Sequence, residues 1–231
     1  MTTDTSERGL ERLICTALTG SPCDPAPTGS VITEPTAPYG GFGYICGNPS
    51  DYDREYCVDL AQLRVFLHAT QPKVAEALDL QEDGPVRRKF LARLQGEISK
   101  RGTIHVLRNG IKDGPHSIDL FYGTPSPGND KAKILYEANR FSITRQLRYS
   151  RDETQLALDL GLFINGLPVA TFELKNSLTK QTVADAVQQY KRDRDQREKL
   201  FEFGRCIVHF AVDDHEVRFC THLKGKASWF L

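Results

Sequence analysis

The chain has 231 residues, of which 39% are hydrophobic and 26% are charged, a composition typical of a globular protein with one domain. Its 30 Lys and Arg balance 30 Asp and Glu, so no overall charge attracts nucleic acid, and any DNA contact must come from local patches. No apolar run approaches the ~20 residues of a membrane span and no signal peptide is recognisable, so we expect a soluble, cytoplasmic protein.

The cysteines form no CxxC pair and show no spacing typical of a zinc site. They are Cys15, Cys23, Cys46, Cys57, Cys206 and Cys220. Because they are scattered among apolar residues in a chain expected in the cytoplasm, we predict reduced, mostly buried thiols.

The first predicted element is a helix that Ser6 can cap. Glu11 falls at the margin of its apolar face, where an acid could reach a metal ion, although a solvated helix acid is the simpler interpretation. The apolar residues recur at helical spacing. They are Leu10, Leu13, Ile14, Ala17 and Leu18.

The stretch from Ser21 to Ser50 holds six prolines and predicts a loop. Its cluster Gly40-Gly41-Phe42-Gly43 lacks the preceding strand and the following helix that a phosphate-binding loop requires. We therefore interpret this cluster as a turn.

Helices are predicted next, over Val58–Ala69 and Val86–Lys100, followed by strands over Ile104–Leu107 and Ser117–Tyr122 and a loop over Gly123–Asp130. The second helix directs basic side chains outward, which indicates either a solvated surface or a site for DNA phosphates. These basic residues are Arg87, Arg88, Arg93, Lys100 and Arg101.

A strand over Phe141–Tyr149 leads into the most informative stretch, LALDLGLFINGLPVATFELK at 156–175. Two alternating arms flank Asn165-Gly166, which is a strong hairpin signal. Asp159 interrupts the first arm, and Glu173 and Lys175 end the second.

The hairpin register decides whether these charges meet. A strict two-residue turn places Asp159 opposite Phe172, whereas one extra residue in the second arm places it opposite Glu173. Pro168 has no N–H to donate and fits a bulge or a strand end. We therefore predict a one-residue bulge or a three-residue loop.

Two carboxylates that face each other in a sheet repel, and a divalent cation would compensate. Mg²⁺ suits hard oxygen ligands and can activate water against a phosphodiester. Lys175 could orient that water or neutralise developing charge. The alternative is the ordinary alternation of charged and apolar residues in a half-exposed strand.

Thr182 and Asp185 predict the start of another helix. Arg192, Arg194 and Arg197 alternate with acids beyond it, a pattern typical of solvated surface.

Strands are predicted over Cys206–Val212 and Glu216–Thr221, and His209 within the first of these is expected in the core. The order of strands and helices predicts an α/β or α+β fold with a mixed sheet flanked by helices.

Several runs in this chain resemble the N-terminal nuclease domain of the R (restriction) subunit of type I restriction endonucleases, a branch of the PD-(D/E)xK superfamily. The resemblance covers nearly the whole chain and is weakest between Gly20 and Gly47. Its runs are Asn139, Arg145-Gln146-Leu147, Leu158-Asp159-Leu160, Phe163 to Pro168, Glu173 to Asn176, Gln189-Tyr190, His209 to Asp213 and Trp229-Phe230-Leu231.

The resemblance implies that Asp159, Glu173 and Lys175 are catalytic, with Mg²⁺ held by both acids and the Leu174 carbonyl; Glu11 is a weaker candidate ligand. It also implies a catalytic or phosphate-contacting glutamine, which Gln189 fits. The family pattern has a tyrosine four residues later, where this chain has Asp193, and Tyr190 is adjacent instead. DNA contacts are expected at Arg87, Arg88, Arg93 and Arg145.

We expect an endonuclease that hydrolyses double-stranded DNA in host defence. Its partners would be the helicase/translocase portion of the R subunit, which would bind ATP, and the methylation and specificity subunits. The chain has no P-loop motif, so it is expected to be the nuclease module without its motor domains. The alternatives are a non-catalytic docking or DNA-guiding domain and an autonomous resolvase or repair nuclease.

The expected parts of this single domain (1–231) are an N-terminal helix (1–20), a Pro/Gly-rich loop (21–50), a helical insertion (51–101) and a catalytic sheet core (102–231).

Overall fold

The computed structural model describes residues 6–24, 42–152 and 155–231. Most of the loop predicted over Ser21–Ser50 therefore lies outside the described residues, as do Gly40 and Gly41 of the predicted turn. None of the helices within the described ranges is long and apolar enough to cross a membrane.

The described residues form α-helices and β-strands in a mixed order. The helices are α1 (Glu7–Thr19), α2 (Leu60–Thr70), α3 (Pro72–Leu78), α4 (Pro85–Arg101), α5 (Thr103–Asn109), α6 (Asp130–Glu137) and α7 (Val183–Gln188). The strands are β1 (Ile45–Cys46), β2 (Tyr52–Asp53), β3 (Val58–Asp59), β4 (Ile111–Asp113), β5 (His116–Ile118), β6 (Phe141–Arg148), β7 (Ala157–Ile164), β8 (Leu167–Leu174), β9 (Val208–Val212) and β10 (Val217–Cys220).

Six strands make one mixed sheet in the order β1-β6-β7-β8-β9-β10. The β1–β6 and β8–β9 pairs are parallel, and the other neighbours are antiparallel. The predicted fold class, a mixed sheet flanked by helices with a helical region before it, is therefore confirmed.

Helices cover both faces of this sheet. Cys15 of α1 lies in an apolar cluster with Leu174 and Val212. Ala186 of α7 lies in a second cluster with Ala211. Because neighbouring residues of a strand point to opposite faces, α1 and α7 lie on opposite sides of the sheet.

A third apolar cluster joins α2, α3, α4 and α5 with the β4–β5 hairpin, and we call this unit the helical lobe. Leu167, at the start of β8, is part of the same cluster. The helical lobe therefore packs against the end of the β7–β8 hairpin where the turn lies.

The predicted cap of the first helix is confirmed, because Ser6 Oγ accepts a hydrogen bond from Gly9 N at 3.2 Å. The predicted apolar face is wrong in part. Leu13 is 67% exposed, while the buried side chains of α1 are Glu11, Cys15 and Thr19. Polar contacts between Glu11 and the sheet, described below, accompany the inward position of this acid.

The strand predicted over Ile104–Leu107 is wrong, because this segment lies within α5. Gly102, at φ +83°, ends α4, and α5 begins at the next residue. Thr103, Val106 and Leu107 are buried at helical spacing, and a four-residue apolar run cannot by itself distinguish a helix from a strand.

The prediction that all six cysteines are reduced is also wrong, because Cys23 and Cys46 form a disulfide with their Cα atoms 5.4 Å apart. This bond joins the segment after α1 to β1. Motif spacing could not reveal it, since the two residues meet only through the packing of α1 beside β1. The other four cysteines are buried thiols, as predicted.

Candidate active site

The β7–β8 hairpin turns through Asn165-Gly166, with Ile164 paired to Leu167. Both turn residues have positive φ, +51° and +84°, as this tight turn requires. The turn itself therefore has two residues.

The register then shifts within the first pairs of the hairpin. Phe163 pairs with Pro168, but Leu162 pairs with Ala170, which leaves Val169 as an extra residue in β8. The predicted one-residue bulge is confirmed, and it lies beside the proline that suggested it.

This bulge brings the two acids together. Beyond it Leu160 pairs with Phe172, so the next residues of the two strands, Asp159 and Glu173, lie opposite each other. With a regular ladder Asp159 would have faced Phe172 instead. One inserted residue thus creates the acidic pair.

Glu173 is completely buried. Its Oε1 accepts a hydrogen bond from Arg194 Nε at 2.6 Å, whereas Oε2 is buried without a hydrogen-bond partner among the described residues. Burial raises the pKa of Glu173 to about 8, although Arg194 lowers it and Asp159 adds to the rise. The carboxylate therefore has one paired and one unsatisfied oxygen.

Asp159 accepts a hydrogen bond from Leu174 N on its Oδ2 at 2.6 Å. Burial raises its pKa to about 6 against this hydrogen bond, and the charges of Glu11 and Glu7 raise it further. Burial thus opposes the ionisation of both acids at this end of the hairpin. A bound cation would favour their ionised forms.

Lys175 follows β8 and is 9% exposed. Its Nζ lies 3.2 Å from Glu7 Oε1 on α1, and its charge lowers the pKa of both Asp159 and Glu173. The predicted acid, acid and lysine therefore share one site.

Glu11 lies beside this site, but both of its oxygens are occupied. Oε2 pairs with Arg145 Nε at 2.9 Å, and Oε1 accepts a hydrogen bond from Gln146 Nε2 at 2.7 Å. Arg145 also binds Asp24 at 2.7 Å and is 9% exposed. This placement suits a contact that holds α1 on the sheet better than a metal ligand or a DNA contact.

Gln146 was not predicted to have a role of its own. It has φ +49°, a strained conformation for a residue other than glycine. Its neighbours Arg145 and Leu147 pair with Leu160 and Leu158, so Gln146 lies level with Asp159 on the adjacent strand. Strain at this position is a typical feature of functional sites.

The remaining predicted DNA contacts lie on α4, in the helical lobe. Arg87 and Arg88 pair with Asp83 at 2.7 and 2.9 Å, and Arg93 pairs with Glu97 at 3.2 Å. The lobe packs at the turn end of the hairpin, so the structure does not bring these arginines to the acids.

Gln189 is half-buried and begins a π-helical turn, Gln189–Asp193, after α7. Tyr190 is buried with its OH 2.8 Å from Thr171 Oγ1, away from solvent. Arg194, the residue after this turn, reaches Glu173 with its side chain. The mixed charge pattern around it had predicted a solvated side chain. That expectation is wrong, because the π turn redirects Arg194 inward.

His209 is buried, as predicted, with Nδ1 2.7 Å from Thr171 Oγ1. Burial lowers its pKa to about 4, so it is neutral at physiological pH. It belongs to the core beneath the site.

Within residues 6–24, 42–152 and 155–231, no group of three or more His, Cys, Asp or Glu side chains could hold a metal ion by itself. Mg²⁺, however, needs only one or two protein carboxylates with water and substrate oxygens. Oε2 of Glu173, which no described residue hydrogen-bonds, and the raised pKa of Asp159 fit such an ion, and the Leu174 peptide lies beside them.

Residues 95–228, more than half of the chain, match the family described as type I restriction enzyme R protein N terminus (HSDR_N). This chain belongs to the HSDR_N family. The matched range contains the hairpin, Lys175 and Arg194, but not α1. The resemblance is therefore confirmed, over a shorter range than predicted.

A relative from Methanocaldococcus jannaschii is named as the MjaVIIIP endonuclease subunit of a type I restriction enzyme. It is 26% identical to this HSDR_N chain over 129 residues, which is 54% of the chain and 12% of the relative. The chain thus spans about an eighth of that relative.

Proposed function

We propose that this HSDR_N chain is a nuclease module that hydrolyses phosphodiester bonds of double-stranded DNA with Mg²⁺. The observation that carries the proposal is the position of Asp159 opposite Glu173, beside Lys175. Within the part of the chain that the structure describes, Oε2 of Glu173 has no hydrogen-bond partner. The name of the relative, an endonuclease subunit, supports the same reaction.

In this proposal each residue of the site has a defined task. Asp159, Glu173 and the Leu174 carbonyl would hold the Mg²⁺, and the ion would supply positive charge for water activation and for the phosphate. Lys175 donates a hydrogen bond to the attacking water or the scissile phosphate. Glu7 holds the Lys175 ammonium at the site. Gln189 remains a candidate phosphate contact on the neighbouring π turn.

The setting of this activity would be a type I restriction complex that protects its cell against foreign DNA. The methylation and specificity subunits would select the DNA, and the helicase portion of the R subunit would use ATP to translocate it. The cytoplasm is the expected location of such a complex.

A second candidate is a non-catalytic domain that docks subunits or guides DNA. Two observations favour it: Glu173 already has a cationic partner in Arg194, and the described residues hold no group of three metal-binding side chains. In that case the acids would be structural and no ion would bind.

Calorimetric titration of the chain with Mn²⁺ or Mg²⁺ separates the two candidates. The nuclease proposal predicts binding that Asp159→Ala abolishes, and nicking of supercoiled plasmid in the presence of either ion. Absence of any ion-dependent heat and of nicking, by the chain and by its complete restriction complex, would instead support the docking domain.

A further inference from the structure

Arg194 is held by residues of two strands of the sheet and by the residue that follows a third. Its Nε donates to Glu173 Oε1 of β8 at 2.6 Å, and its Nη2 donates to the carbonyl of Ala157 on β7 at 2.8 Å. Nη1 lies 3.2 Å from the hydroxyl of Tyr149, just beyond β6. The side chain is 5% exposed, so this guanidinium has little freedom to move.

The position of the guanidinium follows from the π turn. Arg194 N donates to the carbonyl of Gln189, five residues earlier, at 3.1 Å. This wider turn ends at Arg194, whose side chain is directed to the sheet. π turns of this kind occur frequently at functional sites.

The fixed guanidinium makes the two oxygens of Glu173 unequal. Oε1 is engaged by Arg194, while Oε2 is buried and has no partner among the described residues. Because Arg194 fixes the carboxylate through Oε1, Oε2 is the oxygen that is better placed to bind an ion. Hydrogen-bonded partners of this kind orient ligating carboxylates in metal sites.

We propose that Arg194 is a positioning residue that fixes Glu173 so that Oε2 alone faces a single divalent cation. This inference rests on the proposed nuclease function. Arg194 touches neither the ion nor the DNA, and acts only through Glu173. A lysine cannot replace it, because an ammonium lacks the planar set of donors that engages Glu173, Ala157 and Tyr149 together.

A purely structural role is the competing explanation. A buried ion pair could simply join α7 to the sheet, and its positive charge would then repel a cation from Glu173. Removal of the guanidinium would in that case lower thermal stability but leave ion binding unchanged or make it tighter. The affinity for a metal ion, measured on folded protein, distinguishes these roles.

The test titrates the full chain with Mn²⁺ and compares the wild type with Arg194→Lys, Arg194→Met and Tyr149→Phe. Arg197→Met is the matched control, since Arg197 is three residues further on, 91% exposed and paired with Asp195. Thermal unfolding shows the temperature range in which each variant is folded, and titrations are done within it. If Arg194→Met does not fold, Arg194→Lys and Tyr149→Phe still decide the question.

We expect one Mn²⁺ per wild-type chain, an affinity about 10–100-fold weaker in Arg194→Lys, and a smaller loss in Tyr149→Phe. Arg197→Met should bind as the wild type does. An unchanged or tighter affinity in Arg194→Lys would overturn the inference while leaving the nuclease proposal in place. A wild-type chain that binds no Mn²⁺ would overturn the nuclease proposal itself.

Discussion

The two ends of the β7–β8 hairpin differ in how completely their polar groups are paired. At the turn end, the side chain of buried Asn165 donates to the Leu120 carbonyl and to Asn139, and accepts a hydrogen bond from Arg140 N. At the open end, roughly 20 Å away by strand length, Glu173 Oε2 has no hydrogen-bond partner in residues 6–24, 42–152 and 155–231. The polar groups of the turn end stabilise the fold, whereas the open end keeps an unsatisfied carboxyl oxygen that suits a ligand.

The difference is instructive because Asn165 and Glu173 are both completely buried and the same two strands form both ends. A buried polar group without a partner destabilises a protein, so each one calls for an explanation, such as a catalytic role or a bound water or ion. Substitutions at the turn end should therefore change stability, and those at the open end should change ion binding and catalysis. Four predictions test this contrast, in order of decreasing effect.

Replacement of the open-end lysine should have the largest effect on function. We expect Lys175→Ala to reduce DNA cleavage by about 10²–10⁴-fold, because a positioned proton donor or charge is lost. Plasmid cleavage assays measure this, and Mn²⁺ titration should show that the ion still binds. Lys133→Ala, at a side chain that is 63% exposed, is the control. Full cleavage by Lys175→Ala would remove this lysine from the mechanism.

At the turn end, Gly166→Ala should destabilise the fold by roughly 3 kcal/mol. Gly166 has φ +84°, and an added Cβ would lie 2.4 Å from the Asp59 carbonyl and 2.8 Å from Leu63 N of the helical lobe. Urea unfolding measures the change. Gly96→Ala is the matched control, since a Cβ there meets nothing within 4 Å and alanine favours the helix, so it should stabilise slightly. Equal effects of both substitutions would contradict the packing at the turn.

Asp159→Asn should abolish ion binding yet raise stability by roughly 1–2 kcal/mol near pH 8. Burial raises the folded-state pKa of Asp159 to about 6, above its unfolded value, so its ionisation costs stability as pH rises from about 4 to about 6. Asparagine removes this loss and keeps an oxygen for Leu174 N.

Unfolding curves at pH 5 and pH 8 measure the effect, with a larger gain expected at pH 8. Asp195→Asn is the control, because Arg197 lowers the pKa of that exposed acid and its loss should not stabilise. If Asp159→Asn is less stable than the wild type at pH 8, the Asp159 carboxylate stabilises the fold at the open end.

The smallest effect is expected in the helical lobe. Arg88→Ala with Arg93→Ala should leave DNA affinity and its salt dependence almost unchanged, because Asp83 and Glu97 already pair with these side chains and α4 lies at the turn end. Binding of labelled duplex at several salt concentrations measures this. A marked loss of affinity with a shallower salt dependence would show that α4 contacts DNA phosphates, as first predicted from the sequence.

The sequence alone predicted the parts of the site that depend on local rules. The Asn165-Gly166 turn, the bulge beside Pro168 and the meeting of Asp159 with Glu173 all follow from hairpin geometry and the missing N–H of proline. The Ser6 cap follows from the same kind of local chemistry.

The parts that were missed depend on packing between distant segments. Arg194 reaches Glu173 through a π turn, and Glu11 is buried because Arg145 and Gln146, 134 and 135 residues away, bind it. The Cys23–Cys46 bond needs α1 beside β1, and α5 forms where a short apolar run suits either a helix or a strand. No short sequence pattern predicts these contacts.

The most direct test of the central claim is anomalous diffraction from crystals of the chain soaked in Mn²⁺. We expect one anomalous peak within coordinating distance of Asp159 and of Glu173 Oε2, with Arg194 still bound to Oε1. A well-ordered site without such a peak, or a peak bound to other residues, would contradict the claim that the open end of the hairpin is a cation-dependent nuclease site.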